Sequence, residues 1–391
     1  MYNFDKIVSR RHTNCAKWDE VGEDLLPMWV ADMDFQSPPE VIAALEERVR
    51  HGIFGYSGGY EGWDTAFIQW MKRRFGWQVD REWITTSPGV VPALDMLIRA
   101  LTEPGDGVVI QPPVYCPFFA VVRNNGRKLL ENPLIYDGCK YRMDLDNLER
   151  QLNPGVKLLI LCSPHNPVGR MWEPRELAAL GDICLEHGIR VISDEIHADL
   201  VFPGQRHTVF ASLSSELEQN CAICTAPSKT FNIAGIQASN ITIPNPEIRS
   251  AYRQVLNTGE LGLPNVFAIA AAEAAYTQGE AWLDEMMIYV RDNFKYLQKF
   301  MAENIPRIKI IEPEATYLVW LDCRSLGMNN QQLDRFIRDQ ARLVLSPGHI
   351  FGSAGSGFQR MNIACPRAIL EEALRRLESA VGDLSHVNTR E

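Results

Sequence analysis

Four short apolar runs rich in β-branched residues stand out in the middle of the chain. They are Gly-Val-Val-Ile-Gln at 107–111, Lys-Leu-Leu-Ile-Leu-Cys at 157–162, Ile-Arg-Val-Ile-Ser at 189–193 and Cys-Ala-Ile-Cys-Thr at 221–225. Runs of this length without a regular polar alternation predict strands buried on both faces. Between the second and third, 173–187 places Leu177, Leu180, Ile183 and Cys184 at a helical period after a Glu-Pro start typical of a first helical turn. Strand, helix, strand predicts a parallel sheet wound with helices on both sides. A further helix is predicted over 91–101, where Val91, Leu94, Leu97, Ile98 and Leu101 share one face before Glu103-Pro104-Gly105 ends it. Over 280–302, Trp282, Met286, Val290, Phe294, Leu297 and Met301 form a stripe on a helix long enough to leave one domain and enter another. Beyond it the pattern is shorter and mixed. The organisation expected is an N-terminal arm over 1–45, a large α/β domain over 46–279, and a smaller α+β domain over 280–391 against which the arm packs.

Composition adds exclusions. The 391 residues, 46% hydrophobic and 23% charged, are those of an ordinary globular protein of two or three domains. Such a chain buries about three-quarters of its unfolded surface and needs no metal or disulfide staple. With 39 basic against 49 acidic residues the net charge is −10, which argues against a surface built to neutralise phosphate backbones; with no helix-turn-helix attached, nucleic acid is not an expected partner. No apolar run approaches the ~18 residues of a membrane helix, and the first residues lack the apolar core of a signal peptide, so a cytoplasmic protein without a membrane partner is expected. Nine cysteines, an odd number dispersed along the chain, are expected to be mostly reduced and buried. Cys221 and Cys224 make a lone C-x-x-C with no second Cys or His pair, which favours strand packing over a redox or metal site; no metal is expected.

In parallel α/β sheets, ligands bind at the carboxyl ends of the strands, so the residues after each predicted strand belong together. They are Pro112-Pro113-Val114-Tyr115, Ser163-Pro164-His165-Asn166-Pro167, Asp194-Glu195-Ile196-His197 and Ala226-Pro227-Ser228-Lys229. One edge thereby collects an aromatic ring, an amide, a carboxylate and an amine. Shielding of Lys229 from water would disfavour its ammonium form, and the neutral amine is what a Schiff base with an aldehyde cofactor requires; the plain alternative is a surface lysine. Asp194 follows a buried run and needs a cationic or donor partner, which a pyridinium nitrogen would supply, or else it caps a helix. Tyr115 could stack on a flat cofactor or simply pack.

Together these strand ends resemble the aspartate aminotransferase superfamily of pyridoxal-phosphate enzymes, the fold type I group, and within it the cystathionine β-lyase, or C–S lyase, branch. The segments that carry the resemblance are Leu-Pro-Met-Trp-Val-Ala-Asp-Met-Asp-Phe at 26–35, Gly-Ile-Phe-Gly-Tyr at 52–56, Ser-Pro-His-Asn-Pro-Val-Gly at 163–169, Ser-Asp-Glu-Ile-His at 193–197 and Ser-Lys-Thr-Phe-Asn at 228–232. It spans essentially the whole chain. It implies a three-layer α/β fold with a mostly parallel central sheet in a large cofactor-binding domain, plus a smaller α+β C-terminal domain. It also implies pyridoxal 5′-phosphate as cofactor and a homodimer with shared active sites.

By the same resemblance, Lys229 bears the cofactor and moves the proton at the substrate Cα, Asp194 pairs with the pyridinium and Asn166 bonds the phenolic oxygen. Tyr115 stacks on the ring, while Gly89, Val90 and Val91 at a helix start, with Ser228, hold the phosphate. Tyr56 reaches the phosphate of the neighbouring subunit, so Tyr56 and Tyr115 join Lys229 as catalytic candidates. Arg360, in Gly-Phe-Gln-Arg-Met-Asn at 357–362, grips the substrate α-carboxylate, with Asn166 and Ala31 beside it. Without the resemblance Arg360 reads as an ordinary surface arginine.

Three positions depart from ordinary aminotransferases: His197 replaces a tyrosine, Gln237 a phosphate-binding arginine and Ala226 a serine. His197 is also the habit of the lyase branch, or else a packed histidine near the sheet edge. The implied activity is α,β-elimination of L-cystathionine or a related L-cysteine conjugate to a thiol, pyruvate and ammonia. Alternatives are an aminotransferase acting on an L-amino acid and a 2-oxo acid, and a cofactor-binding regulatory protein.

Overall fold

Successive strand residues point to opposite faces, so a strand covered by helices on both sides reads as an unbroken apolar run. The computed structural model, which describes residues 2–387, shows this for the central strands. On one face Val108, Ile110, Leu158, Ile160, Ile192, Ala222 and Cys224 form a core with helices Val90–Leu101, Pro117–Asn124 and Pro246–Thr258. Val109, Leu159, Leu161, Val191, Cys221 and Ile223 face the other way, onto a core that includes helices Glu61–Phe75, Pro174–Glu186 and Val266–Gln278.

The seven strands lie in the order Ile84–Ser87, Ser239–Thr242, Cys221–Thr225, Arg190–Asp194, Val156–Cys162, Gly107–Ile110 and Lys128–Glu131. From Cys221–Thr225 to Lys128–Glu131 every pairing is parallel, and Ser239–Thr242 is antiparallel to both its neighbours. The four strands legible in the sequence are therefore consecutive in space, and their carboxyl ends share one edge. The two that left no apolar signature, Ile-Thr-Thr-Ser and Ser-Asn-Ile-Thr, are buried but polar. Some of their polar groups find partners inside: Ser239 Oγ donates to Ser87 O at 2.8 Å and Asn240 Nδ2 to the Tyr276 hydroxyl at 2.8 Å, while Asn240 Oδ1 and Thr242 Oγ1 have no partner among the described residues.

The helices begin where the sequence says they should. Pro174 occupies the first turn of Pro174–Glu186, and Glu173 with Glu176 forms a capping box there. The long helix Glu280–Asn304 buries all six apolar residues of its predicted stripe. It joins the large layered body to a four-stranded antiparallel sheet, ordered Lys309–Ile311, Leu318–Asp322, Phe358–Asn362 and Ser346–Pro347, and packs against the C-terminal helix Arg367–Val387.

The N-terminal segment is woven into both parts. Leu26–Pro27 pairs in parallel with Leu343–Val344, next to the small sheet. The following helix, Pro39–His51, packs on Val266–Gln278 and runs unbroken across residue 45, where the sequence reading places the end of the arm. Pro39 at the first helical position starts it, and Gly52 at φ 75° ends it.

A buried ion network anchors this segment. Lys17, 1% exposed, donates to Asp34 Oδ2 at 2.7 Å; Arg10 bonds the other Asp34 oxygen at 2.8 Å and also pairs with Asp32; the Trp18 indole donates to Asp34 at 2.9 Å. Burial alone would raise the Asp34 carboxyl, but the Lys17 charge and these hydrogen bonds outweigh it and hold the group below the usual carboxylate range. An acid held below its unfolded value stabilises the fold at pH above that value, and the contribution is lost as pH falls through the folded pKa. Asp34→Asn, which leaves Lys17 buried without its main partner, should cost about 3–5 kcal/mol in urea unfolding at pH 7. The gap to the natural protein should narrow below about pH 4, and a variant equally destabilised at all pH would show that the network is not electrostatic.

Candidate active site

The strand edge closes into a cavity of about 220 Å³ lined, among others, by Ala31, Gly89, Val90, Val91, Tyr115, Asn166, Asp194, His197, Ser228 and Lys229. The geometry thus gathers residues spread over two hundred positions of sequence. Tyr115, Asn166, Asp194 and Lys229 follow adjacent strands, and register sets their depth: Asp194 lies level with Cys162 on one side and Cys224 on the other, both buried thiols. Gly89 precedes the twelve-residue helix Val90–Leu101, whose first N–H groups have no partner within the helix and open onto the cavity. Lys229 sits in the short helical turn Pro227–Thr230, one step beyond the strand end itself.

Burial sets the charges. It pushes the Asp194 carboxyl up to about 7, with Glu195 adding to the rise and the Ile196 N–H, 3.1 Å from Oδ1, opposing it. Asp194 makes no salt bridge with a side chain among the described residues, so burial disfavours its charged form without a cation to offset the cost. The Lys229 amine is lowered from the ordinary lysine value, first by burial and further by the Arg360 charge. Its Nζ donates to the carbonyl of Ala31 at 2.8 Å. His197 is pushed down to about 3 by burial and by the positive charges of Lys229 and Arg360; it is neutral near pH 7, and its Nδ1 has no partner among the described residues. Burial, then the Asp194 charge, pushes the Tyr115 hydroxyl up to about 12.

Arg360 is no surface residue. It stands on the central strand of the small sheet, 6% exposed, with Ser346 as its register partner. Nη1 donates to Asn166 Oδ1 at 2.9 Å, and Nη2 to the Trp29 carbonyl at 2.8 Å and the Ser346 hydroxyl at 3.0 Å. Its Nε is buried without a partner among the described residues, and burial lowers the guanidinium to about 10. The arginine is thus held at the rim against the cavity residue Asn166, with a donor to spare. Tyr56 lies apart from the cavity, fully exposed on the surface. Gln237 is exposed too, at φ 59°, and Ala226 is buried. Cys221 and Cys224 are strand packing, and burial raises both thiols well above the ordinary value.

Several neighbours escaped the sequence reading. Ser346 and the Trp29 carbonyl orient Arg360, and the Tyr317 hydroxyl donates at 3.0 Å to the same Ala31 carbonyl that receives Lys229. Ile196 and Cys162 complete the apolar wall. Of these, Trp29 and Ile196 lay inside the quoted segments 26–35 and 193–197 and Cys162 ended a predicted strand, but none was assigned a role. Among the described residues no group of three or more His, Cys, Asp or Glu could hold a metal ion.

The chain matches the profile of the aminotransferase class I and II family over residues 23–377. It is 47% identical over 385 residues to cystathionine beta-lyase PatB of Bacillus subtilis, covering 97% of this chain and 100% of that protein. Cystalysin of Treponema denticola, whose crystal structure contains a pyridoxal 5′-phosphate cofactor, superposes with a TM-score of 0.95 at 39% identity, over 98% of this chain and 100% of that one. The PLP-bound C–S lyase of Staphylococcus hominis superposes with a TM-score of 0.90 at 34% identity, over 97% and 99%.

A carboxyl raised from about 3.9 unfolded to about 7 folded makes the native state bind the extra proton, so stability falls as pH rises between those values. In protein stripped of ligand, Asp194→Asn should therefore be more stable than the natural chain at pH 8, by about 4 kcal/mol, and indistinguishable from it near pH 4. Urea unfolding at the two pH values checks this, and a variant no more stable at pH 8 would contradict the buried, unpaired carboxylate.

Proposed function

The chain belongs to the class I and II aminotransferase family, and from that premise we propose that it is a pyridoxal-phosphate-dependent carbon–sulfur β-lyase that cleaves L-cystathionine or a related L-cysteine conjugate. The observation that carries the reading is the pairing, on neighbouring strand ends, of a buried carboxylate lacking a cation with a lysine whose ammonium form is disfavoured.

The donor set fits the cofactor. Asp194 would hold the ring nitrogen, Asn166 and His197 lie where polar contacts to the ring substituents are needed, Tyr115 offers an aromatic face, and the Gly89–Val91 helix start with Ser228 offers N–H and hydroxyl donors to a phosphate. When bound, the cofactor supplies an electron-poor ring conjugated to the substrate nitrogen, which stabilises negative charge at Cα.

The chain's own groups do the rest. Arg360 pairs with the substrate α-carboxylate, for which its buried guanidinium has a donor in reserve, and Asn166 and Ala31 border the same position. The Lys229 amine, whose ammonium form burial disfavours, takes the proton from Cα as general base. The Cβ–S bond then breaks with its electron pair leaving on sulfur, and the proton held on Lys229 is available to the departing thiolate. The three-carbon fragment, 2-aminoacrylate, hydrolyses after release to pyruvate and ammonia, and cystathionine yields homocysteine as the thiol. No second substrate is consumed, which separates this reaction from transamination.

The active form is a homodimer. Ile53, Phe54, Tyr56, Leu261 and Leu263 are exposed, and the Phe54 ring lies 5.5 Å from Phe267, which makes an apolar patch suited to a second copy of the chain. Tyr56 on that patch reaches the phosphate position of the neighbouring subunit.

Incubated with L-cystathionine and no 2-oxo acid, the purified protein should release pyruvate and free thiol in equal amounts. Turnover only after a 2-oxo acid is added would sink the lyase reading in favour of an aminotransferase. Lys229→Ala should lose both the reaction and the visible absorbance of the bound cofactor. Arg360→Lys, which keeps the charge but loses the two-pronged geometry, should raise KM by about tenfold or more. Sedimentation should give twice the 44.3 kDa chain mass, and Tyr56→Phe should weaken cofactor retention without splitting the dimer.

A further inference from the structure

Lys229 sits on a helix of only four residues, Pro227–Thr230, with no second turn to stiffen it. What holds the turn lies on its C-terminal side. Thr230, next to Lys229, is fully buried, and its hydroxyl donates to Asp199 Oδ2 at 3.0 Å. The other Asp199 oxygen accepts the Trp70 indole N–H, also at 3.0 Å, and the Arg74 Nε stands 4.0 Å away. Phe231 then packs edge-on against Trp70, with ring centroids 5.5 Å apart, so Trp70 braces both Asp199 and the residue that ends the turn.

Asp199 lines no part of the Lys229 cavity, and no step of the proposed reaction calls for a carboxylate there. Burial raises its carboxyl, a cost that an apolar pair of the same shape would avoid. What a carboxylate offers in return is direction. A threonine in a helical turn has two staggered positions available, because its hydroxyl can also bond a preceding carbonyl, and acceptance by Asp199 selects one of them.

We propose that Asp199 is a positioning residue for the reaction: through Thr230 it fixes the turn so that the Lys229 amine stays aimed across the cavity, as it is at the Ala31 carbonyl, while the Cα proton is transferred. The inference rests on the lyase reading, since it concerns the base of that reaction. Asp199 acts through the orientation of Thr230 and not through its field, because the charges that move the Lys229 amine are those of Asp32, Arg360 and Asp194.

The test compares Thr230→Val, which keeps the shape and removes the hydroxyl, with Thr230→Ser, which keeps the hydroxyl. Both are made in the full-length holoenzyme, with L-cystathionine as substrate. Thr230→Val should lower kcat by about tenfold or more with KM within about twofold, and Thr230→Ser should recover most of the loss. Amide hydrogen exchange over residues 228–231, measured by mass spectrometry with and without cofactor, should speed up in Thr230→Val and stay near the natural rate in Thr230→Ser. Should Thr230→Val fail to fold, Thr230→Ala, which also removes the hydroxyl, carries the same two measurements. Natural kcat and natural exchange in the hydroxyl-free variant would overturn the proposal, as would equal losses in the Val and Ser variants. Absence of pyruvate from the unaltered protein would instead overturn the lyase reading, and the exchange comparison would still decide whether Asp199 holds the turn.

Discussion

A carboxylate held out of water with no cation against it is the constraint on which the rest of the site depends. Asp194 ends a strand flanked by two others, level with buried thiols on either side, and the sheet leaves it nothing to pair with. Such a group is tolerated only if something else is bound there or if it takes up a proton. The neighbouring strand end carries the complementary anomaly, a lysine whose positive form is disfavoured. Each is unfavourable in isolation, and on the proposed function both would be relieved by one ligand that offers a protonated ring nitrogen and an electrophilic carbon. The fold thus defines the cofactor by what it withholds from its own side chains.

The second organising element is the extended segment from Trp29 to Phe35. Its main chain is bonded from three directions. Asn362, two residues after Arg360, donates to the carbonyls of Val30 and Asp32. Asn232, three residues after Lys229, bonds the N–H and carbonyl of Met33 and the carbonyl of Phe35. Asp32 and Asp34 enter the ion network with Arg10 and Lys17. Lys229 and Arg360 belong to different parts of the fold, a helical turn at the edge of the large sheet and a strand of the small one, yet each is followed by an asparagine that bonds the same stretch of backbone. Tyr317 and Lys229 share one acceptor there.

Much of this was legible in the sequence, unevenly. The four consecutive strands and the helices at 174–186 and 280–304 came directly from apolar periodicity, because double burial and one-sided burial each write a distinct pattern. The antiparallel strand Ser239–Thr242 did not, since its buried residues are mostly polar, and Ser239 and Asn240 bond partners far away in the chain. The strand-end rule named Tyr115, Asn166, Asp194 and Lys229 together, while Arg360, Tyr56, Ala31 and the Gly89–Val91 helix start came from the family resemblance. Arg360 is the instructive case. Nothing local distinguishes Gln-Arg-Met from a surface strand, and only the tertiary pairing with Ser346 and Asn166 shows it buried. Ser346, Tyr317 and Asp199 had no signal at all, because a single polar residue that bonds across the fold leaves no mark on its neighbours in sequence.

The way the segment at 29–35 is tied has a consequence for how the protein is made. Residues 29–35 leave the ribosome well before their bonding partners Asn232 and Asn362, the latter more than three hundred positions later. At ordinary elongation rates of ~5–20 residues per second, the first stretch waits tens of seconds before its last partner exists. The central sheet can form during that interval, but the clamp cannot. Completion of the site therefore comes late in synthesis, and a nascent chain held short of Phe358–Asn362 would carry a finished scaffold around an unfinished centre.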